Sequence, residues 1–427
     1  MKRIVHLGVG NFHRAHQAWY THVANAATGT GWRITGVSLR RPDMRDALRL
    51  QGYAYTLVVR DAGATEMIDI RVIEDILVAA ERPEAVIAAI ADPDTHVVTL
   101  TVTEKGYDLD AAGSLRLDAP RVAADLAGRP PATTIGLLAA GLARRAVTGR
   151  PVTVLCCDNL PDNGVKLGAA VRTYTAAAGL GIADYLDAAV AFPSSMVDRI
   201  TPHTDDALRA EVAASGHPPQ APVATEGFTE WVIEERFAAE RPPWDAAGAV
   251  FVAEVAPFEM RKLRMLNGAH SYLAYAGTLA GHVFVDQAAS DRALAQGAAA
   301  LMDEAAETLP DAVRSTAPAY RDALLARFGN PTIEHRLRQI ALDGSLKLPI
   351  RVVPTRTARR AMGLDSPACD AALAAWTGFL EAEFATGRKL DDPAAEVLRS
   401  SLARYSGLDP AARAVAVLEA VNRAGAG

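Results

Sequence analysis

Cysteine is scarce in this sequence. Only Cys156, Cys157 and Cys369 occur in 427 residues, and two of them are adjacent. That is no disulfide framework, and it points to a reducing compartment. No run of 18 apolar residues is present, which argues against a membrane span. The opening Met1-Lys2-Arg3-Ile4-Val5-His6-Leu7-Gly8 lacks the long apolar region and small-residue cleavage site of a secretory leader, so a cytoplasmic location is expected. An excess of basic charge is missing too. The formal net charge of −6 leaves no electrostatic footprint for nucleic acid, so none is expected as a partner. What is present fits an ordinary globular protein, with half the residues hydrophobic and 22% charged. At 427 residues the chain has room for two or three domains and a full core.

Absent motifs narrow the chemistry. There is no His-Glu-x-x-His, no Gly-x-Ser-x-Gly elbow, no Gly-Lys-Ser/Thr loop, and no tyrosine followed four residues later by lysine. Adjacent Cys156 and Cys157 do not readily supply the ligands of an open catalytic zinc, so no metal is expected.

The first half alternates strands and helices. Apolar runs at 3–7, 33–39, 95–103 and 151–157 read as buried strands, with helical periodicity over 14–27 and 132–148. That order implies a mostly parallel sheet with crossovers on its faces. Beyond about residue 256 the pattern turns helical, over 257–281, 285–307, 317–328, 366–386, 391–404 and 409–424, with no convincing strand. The expected architecture is α/β, with an N-terminal Rossmann-like doubly wound domain (1–250) followed by a mostly helical C-terminal domain (251–427). The break at Arg241-Pro242-Pro243-Trp244 marks the boundary region.

Gly8-Val9-Gly10-Asn11-Phe12-His13-Arg14 follows the first strand and opens the first helix, where a dinucleotide pyrophosphate would rest. Gly8 permits a tight turn and Gly10 lets phosphate approach the backbone. His13 stands where the usual third glycine would be. After the second strand the customary acidic residue is replaced by Ser38-Leu39-Arg40-Arg41. Either arginine could take a 2′-phosphate, which opens NADP beside NAD, or the segment is a solvated basic loop.

Phe258 to His270 sets a lysine, an amide and an imidazole into an apolar helical run. With Lys262 at zero on an ideal helix, Glu259 falls at ~60°, His270 at ~80° and Asn267 at ~140°. This polar side either serves proton transfer or simply meets water. With zinc and Tyr/Lys chemistry set aside, hydride transfer needs a protein base, and a buried lysine is one.

These residues carry a resemblance. Gly8 to His16, Thr103-Glu104-Lys105-Gly106-Tyr107, Cys157 to Gly164, Phe192 to Pro202, the 258–270 segment and Asp343 to Arg351 together resemble the polyol-specific long-chain dehydrogenases, or mannitol dehydrogenase family. That family includes mannitol 2-dehydrogenases and the fructuronate (mannonate) and tagaturonate reductases. The resemblance implies Lys262 as general base, Asn159 and Asn267 as amides holding the substrate oxygen, and His270 as the group positioning substrate. It implies Glu104 and Glu259 on a proton path, and Val197 and Asp198 at substrate hydroxyls. Gly8, Gly10, Asn11, Phe12, Arg14, Ser38, Arg40, Thr103 and Lys105 are the expected cofactor set. Glu334 to Ala341, leading into Lys347 and Arg351, resembles the uronate-reductase branch. Those two cations would grip a sugar-acid carboxylate, or else cap helices and bind backbone. A small polyol or sugar acid is the expected substrate, and both monomer and dimer stay open. Two alternatives remain: a reductase of the 6-phosphogluconate type, and a dinucleotide-binding sensor without turnover.

Overall fold

The computed structural model describes residues 2–61, 63–110 and 112–425. The chain divides into two compact units, residues 1–256 and 257–427. The first unit contains twelve strands among its described residues: β1 (Arg3–Leu7), β2 (Arg33–Ser38), β3 (Tyr55–Asp61), β4 (Ala64–Ile70), β5 (Ile73–Val78), β6 (Thr95–Leu100), β7 (Val152–Cys156), β8 (Val190–Ala191), β9 (Ser195–Asp198), β10 (Val223–Glu226), β11 (Glu230–Glu234) and β12 (Val250–Val252). Six of them form an all-parallel sheet in the order β5-β2-β1-β6-β7-β8. Numbered within the sheet this is 3-2-1-4-5-6, the dinucleotide-binding order. The order in which strands are added reverses between β1 and β6, all of them staying parallel, so a crevice opens at their carboxyl ends.

Central parallel strands are covered on both faces and therefore read as continuous apolar runs. Ile4, Val5 and Leu7 of β1 and Val152, Val154 and Leu155 of β7 are accordingly fully buried. The helix Thr134–Ala146 starts at Thr133, whose hydroxyl accepts from Gly136 N. It lies so close to the helix Pro83–Ala91 that a Cβ on Gly141 would come 2.5 Å from Ile90.

Two smaller sheets, β10-β3-β4 and β12-β11-β9, were not anticipated. β9, β10 and β12 are only three or four residues long, and β4 alternates weakly because most of its residues are exposed or half-buried, so periodicity carries little signal there. The expected helix over 14–27 is two, Asn11–Ala15 and Gln17–Thr28, broken at His16 (φ −119°, ψ −92°).

The second unit is helical, with one isolated bridge between Phe284 and Arg336. The helix Gly268–Leu279 packs against Pro367–Ala385, Arg292–Glu307 and Leu337–Ile340, and its Ala269, Leu273, Ala274 and Tyr275 are completely buried. The segment 285–307 splits at Asp291, whose carboxylate caps the helix Arg292–Glu307 by accepting from Ala293 N and Leu294 N. Among the described residues no helix is long and apolar enough to cross a membrane.

Candidate active site

In the first unit a cavity of about 590 Å³ opens at the carboxyl ends of β1, β2 and β6. Gly8, Gly10, Ser38, Arg40, Thr103 and Lys105 line it, joined by Arg41, Asp43 and Arg121. Gly8 sits at φ +100°, and a Cβ there would lie 2.1 Å from the Thr101 carbonyl oxygen. Only glycine fits. Gly10 has just the Gly8 oxygen within 4 Å of where its Cβ would be, at 3.9 Å, which leaves backbone open to an approaching phosphate. These residues fit a dinucleotide: a bare glycine turn for the pyrophosphate, and Ser38 with Arg40 at the end of β2 for the adenosine side. Among the described residues Asp43 is the one carboxylate lining the cavity, and it is paired with Arg41 at 2.7 Å.

Three of the expected cofactor residues do not line this cavity. Asn11 donates to Thr204 Oγ1 at 3.0 Å, and its side-chain oxygen accepts from Arg14 Nη2 at 2.7 Å. Arg14 is buried, donates to the Ala221 carbonyl and packs over the Tyr55 ring; burial pulls its pKa down to about 10. Phe12 stacks on His16. They brace the turn from behind. Beneath it His6 faces Thr99 Oγ1 at 2.7 Å and Thr101 Oγ1 at 2.9 Å, and stacks on His13 at 3.5 Å. Burial drives both imidazoles far down, His13 to about 3.

Asn159 is exposed in the turn after β7. Its neighbour Asp158 accepts from Val102 N (2.8 Å), Thr103 N (3.0 Å) and Tyr107 Oη (2.5 Å). Burial raises the Asp158 pKa, and those three donors act against the rise. Thr103 is held at φ 65°, ψ 159°, a region open essentially to glycine alone and costing other residues ~1–3 kcal/mol. The turn Glu104–Gly106 follows, with Glu104 and Lys105 exposed. On the other side Asn163 Nδ2 donates to the Asp158 carbonyl (3.1 Å) and to Ser195 O (2.7 Å), while Asn163 Oδ1 accepts from Ser195 N (3.0 Å). Ser195 begins β9, which carries buried Val197 and Asp198 opposite Trp231 and Glu230 of β11. Arg199 gives its guanidinium to the carbonyls of Ala15 and Glu226.

In the second unit Lys262 is only 8% exposed, which overturns the reading of this stripe as a water-facing surface. The ideal-helix geometry is also corrected. Residues Lys262–Asn267 form a π turn, with Gly268 N bonded to Leu263 O five residues back. A turn closing at i→i+5 takes up one extra residue. Residues beyond it therefore sit where an α-helix would place the preceding position. Asn267 moves from ~140° to ~40° and His270 from ~80° to about −20° relative to Lys262. With Glu259 at ~60°, the four polar groups narrow to an arc of ~80°. His270 packs on Phe328 (4.5 Å between ring centres) and edge-on to His335 (5.7 Å). Burial and Arg327 lower the His335 pKa. On the helix Gly344–Arg351, Lys347 Nζ donates to Ile340 O (3.2 Å) and Arg351 Nη1 to Ser271 Oγ (3.2 Å). Burial lowers both pKa values, and Arg351 lowers that of Lys347 further.

A family profile described as "Mannitol dehydrogenase Rossmann domain" matches residues 2–246, and one described as "Mannitol dehydrogenase C-terminal domain" matches 254–421. The chain belongs to the mannitol dehydrogenase family. Among curated relatives, a mannitol 2-dehydrogenase of Pyrenophora tritici-repentis is 40% identical over 414 residues, 94% of this chain and 73% of that protein. A D-mannonate oxidoreductase of Escherichia coli is 38% identical over 418 residues, 95% of this chain and 86% of the relative. Among solved structures, mannitol 2-dehydrogenase of Pseudomonas fluorescens in ternary complex with NAD and D-mannitol matches with a TM-score of 0.81 at 35% identity, covering 99% of this chain and 90% of that one. As a member of the mannitol dehydrogenase family the chain is an NAD-dependent dehydrogenase with a Rossmann domain for the cofactor. Among the described residues no group of three or more His, Cys, Asp or Glu is placed to hold a metal ion.

Asp158, Asn163 and Arg121 were passed over in the sequence. Asp158 and Asn163 lie inside a motif that had been singled out for Asn159 alone. Arg121 carries no local signal, because the fold alone brings it to the cavity.

Proposed function

We propose that this chain interconverts a secondary hydroxyl and a ketone on a sugar alcohol or sugar acid, with Lys262 as general base. The observation carrying this reading is Lys262 itself, buried on a π turn that aligns it with Asn267 and His270. Lys262 Nζ takes the hydroxyl proton. Asn159 and Asn267 donate amide N–H groups to the same oxygen as charge develops on it, and neither titrates. His270 orients the substrate, Glu104 and Glu259 pass the proton toward solvent, and Val197 and Asp198 meet substrate hydroxyls. NAD, when bound, supplies the hydride acceptor.

Arg351 favours a sugar acid of the fructuronate/mannonate type. Its side chain is half-buried, its buried Nε has no hydrogen-bond partner, and among the described residues no carboxylate pairs with it. A buried cation lacking a counter-charge is stabilised by an anion, and arginine suits a bidentate carboxylate. A relative named D-mannonate oxidoreductase supports this choice. A neutral polyol such as mannitol or arabinitol is the second reading. Lys347, which spends a proton on the Ile340 carbonyl, and a mannitol 2-dehydrogenase relative support it.

Turnover of mannitol, arabinitol, sorbitol, mannonate and altronate, each with NAD and NADP, separates these readings. Activity confined to neutral polyols removes the carboxylate argument. A preference for NADP would give Arg40 and Arg121 the 2′-phosphate. Lys262→Ala is expected to cut kcat by ~10²–10⁴-fold while NADH still binds. Unchanged kcat refutes the base. No turnover of any pair with tight NADH binding would favour the sensor.

A further inference from the structure

We infer that Asp158 is a positioning residue for the reaction, holding the wall of the cofactor cavity and the Asn159 amide in one fixed arrangement. The inference rests on the roles proposed above for Asn159 and the cavity. Asp158 stands at the carboxyl end of β7, one residue before Asn159. Its carboxylate reaches sideways to the end of β6 and accepts both successive backbone N–H groups of Val102 and Thr103. Two adjacent amides on one carboxylate fix the direction in which the chain leaves β6. That direction includes Thr103 at φ 65°, ψ 159°, which a β-branched residue keeps only when its surroundings impose it. Thr103 and Lys105, just beyond, line the cavity.

Tyr107 closes the loop. Its buried hydroxyl donates to Asp158 Oδ2 and meets Cys156 Sγ at 2.9 Å. Asp158 is itself held from behind, since its carbonyl accepts from Asn163 Nδ2 and Leu160 N. Asn163 continues to Ser195 and so to the strand bearing Val197 and Asp198. The carboxylate thus ties the 102–107 loop to the Asn159 turn, while the Asp158 carbonyl, through Asn163, ties that turn to β9, and Asp158 does not line the cavity itself. An amide cannot replace it. Asparagine has one acceptor oxygen, and its NH₂ would face a donor.

The test uses the full-length enzyme with Asp158→Asn, Thr103→Gly and the double variant. NADH affinity is read by fluorescence titration, kcat and KM on whichever substrate the wild type turns over, and Tm by thermal melting. Asp158→Asn is expected to lower kcat ~10–100-fold and to weaken NADH several-fold, with a smaller change in KM. Glycine adopts the Thr103 conformation unaided, so Asp158→Asn should cost clearly less kcat in the Thr103→Gly background. A drop in Tm with unchanged kcat and NADH affinity overturns the inference, as does an equal kcat loss in both backgrounds. If Asp158→Asn fails to fold, Tyr107→Phe removes only the hydroxyl at Oδ2. It should lower kcat several-fold at near-native Tm, and wild-type kcat would count against the inference. If the wild type turns over none of the substrates, the proposed function fails by itself. NADH affinity of Asp158→Asn against wild type then decides on Asp158.

Discussion

At Gly8 the requirement is steric, while at Gly10 it is one of access. A side chain at Gly8 meets the Thr101 carbonyl at 2.1 Å and must also hold φ +100°. Gly8→Ala is therefore expected to lose NADH binding and to destabilise the protein by at least the ~1–3 kcal/mol of a forbidden backbone conformation. Gly10 has φ −124° and open space around it. Gly10→Ala should weaken NADH while leaving Tm almost unchanged. NADH titration and thermal melts of the two variants check the contrast, and equal losses of Tm would contradict it. The two glycines look alike in sequence. Their difference arises from Thr101, which β6 brings alongside β1.

Among the elements, the π turn at Lys262–Asn267 bears most directly on the proposed chemistry. It absorbs one residue, so residues beyond it keep the face that an α-helix one residue shorter would give. Deleting Leu263 should therefore leave Lys262, Asn267 and His270 on a common side. Inserting an alanine after Leu263 should rotate Asn267 and His270 away from Lys262 by ~100°. The deletion is expected to retain measurable turnover and the insertion to lose it, with far-UV circular dichroism confirming that both stay helical. Equal loss in both would show that the turn does not set this face. The amino-acid pattern here is fully compatible with a plain helix, because i→i+4 and i→i+5 closures differ by one residue in the hydrogen-bonded ring and not by composition. Glu259, Lys262, Asn267 and His270 were thus legible as a set, whereas their arc was not. The same holds for the helix expected over 14–27, whose break at His16 leaves no mark in its periodicity.

At the scale of the whole molecule, the stacked pair His6 and His13 makes stability depend on pH. Both rings are neutral in the folded state, with His13 at about 3 and His6 far below the ordinary 6.5. Once unfolded, each takes a proton near pH ~6.5. Below that pH the unfolded chain binds more protons, so stability falls as pH drops from 6.5 toward 3. The slope is at most ~1.4 kcal/mol per pH unit for each ring. Denaturant unfolding between pH 7 and 4.5 should show this loss, and His13→Gln should make it shallower. A wild-type profile flat over that range, or an unaltered slope in the variant, would count against the buried neutral pair.

The sequence by itself marked four of the six strands of the large sheet and the helical character of the second unit, and it singled out Lys262, Asn159, Asn267 and His270 as candidate site residues. Those features rest on local periodicity and on motifs contained within a few residues. Tertiary structure alone decided which of the marked residues share a cavity. Ser38 and Thr103 reach Gly8 through parallel pairing of strands far apart in the chain, and Arg121 reaches it from the helix Pro120–Leu126, whereas Asn11, Phe12 and Arg14, next to Gly10, became its support. It also decided that Lys262 is buried and that Asp158 clamps a strained threonine, since burial and backbone strain are imposed by neighbours that a linear pattern does not contain.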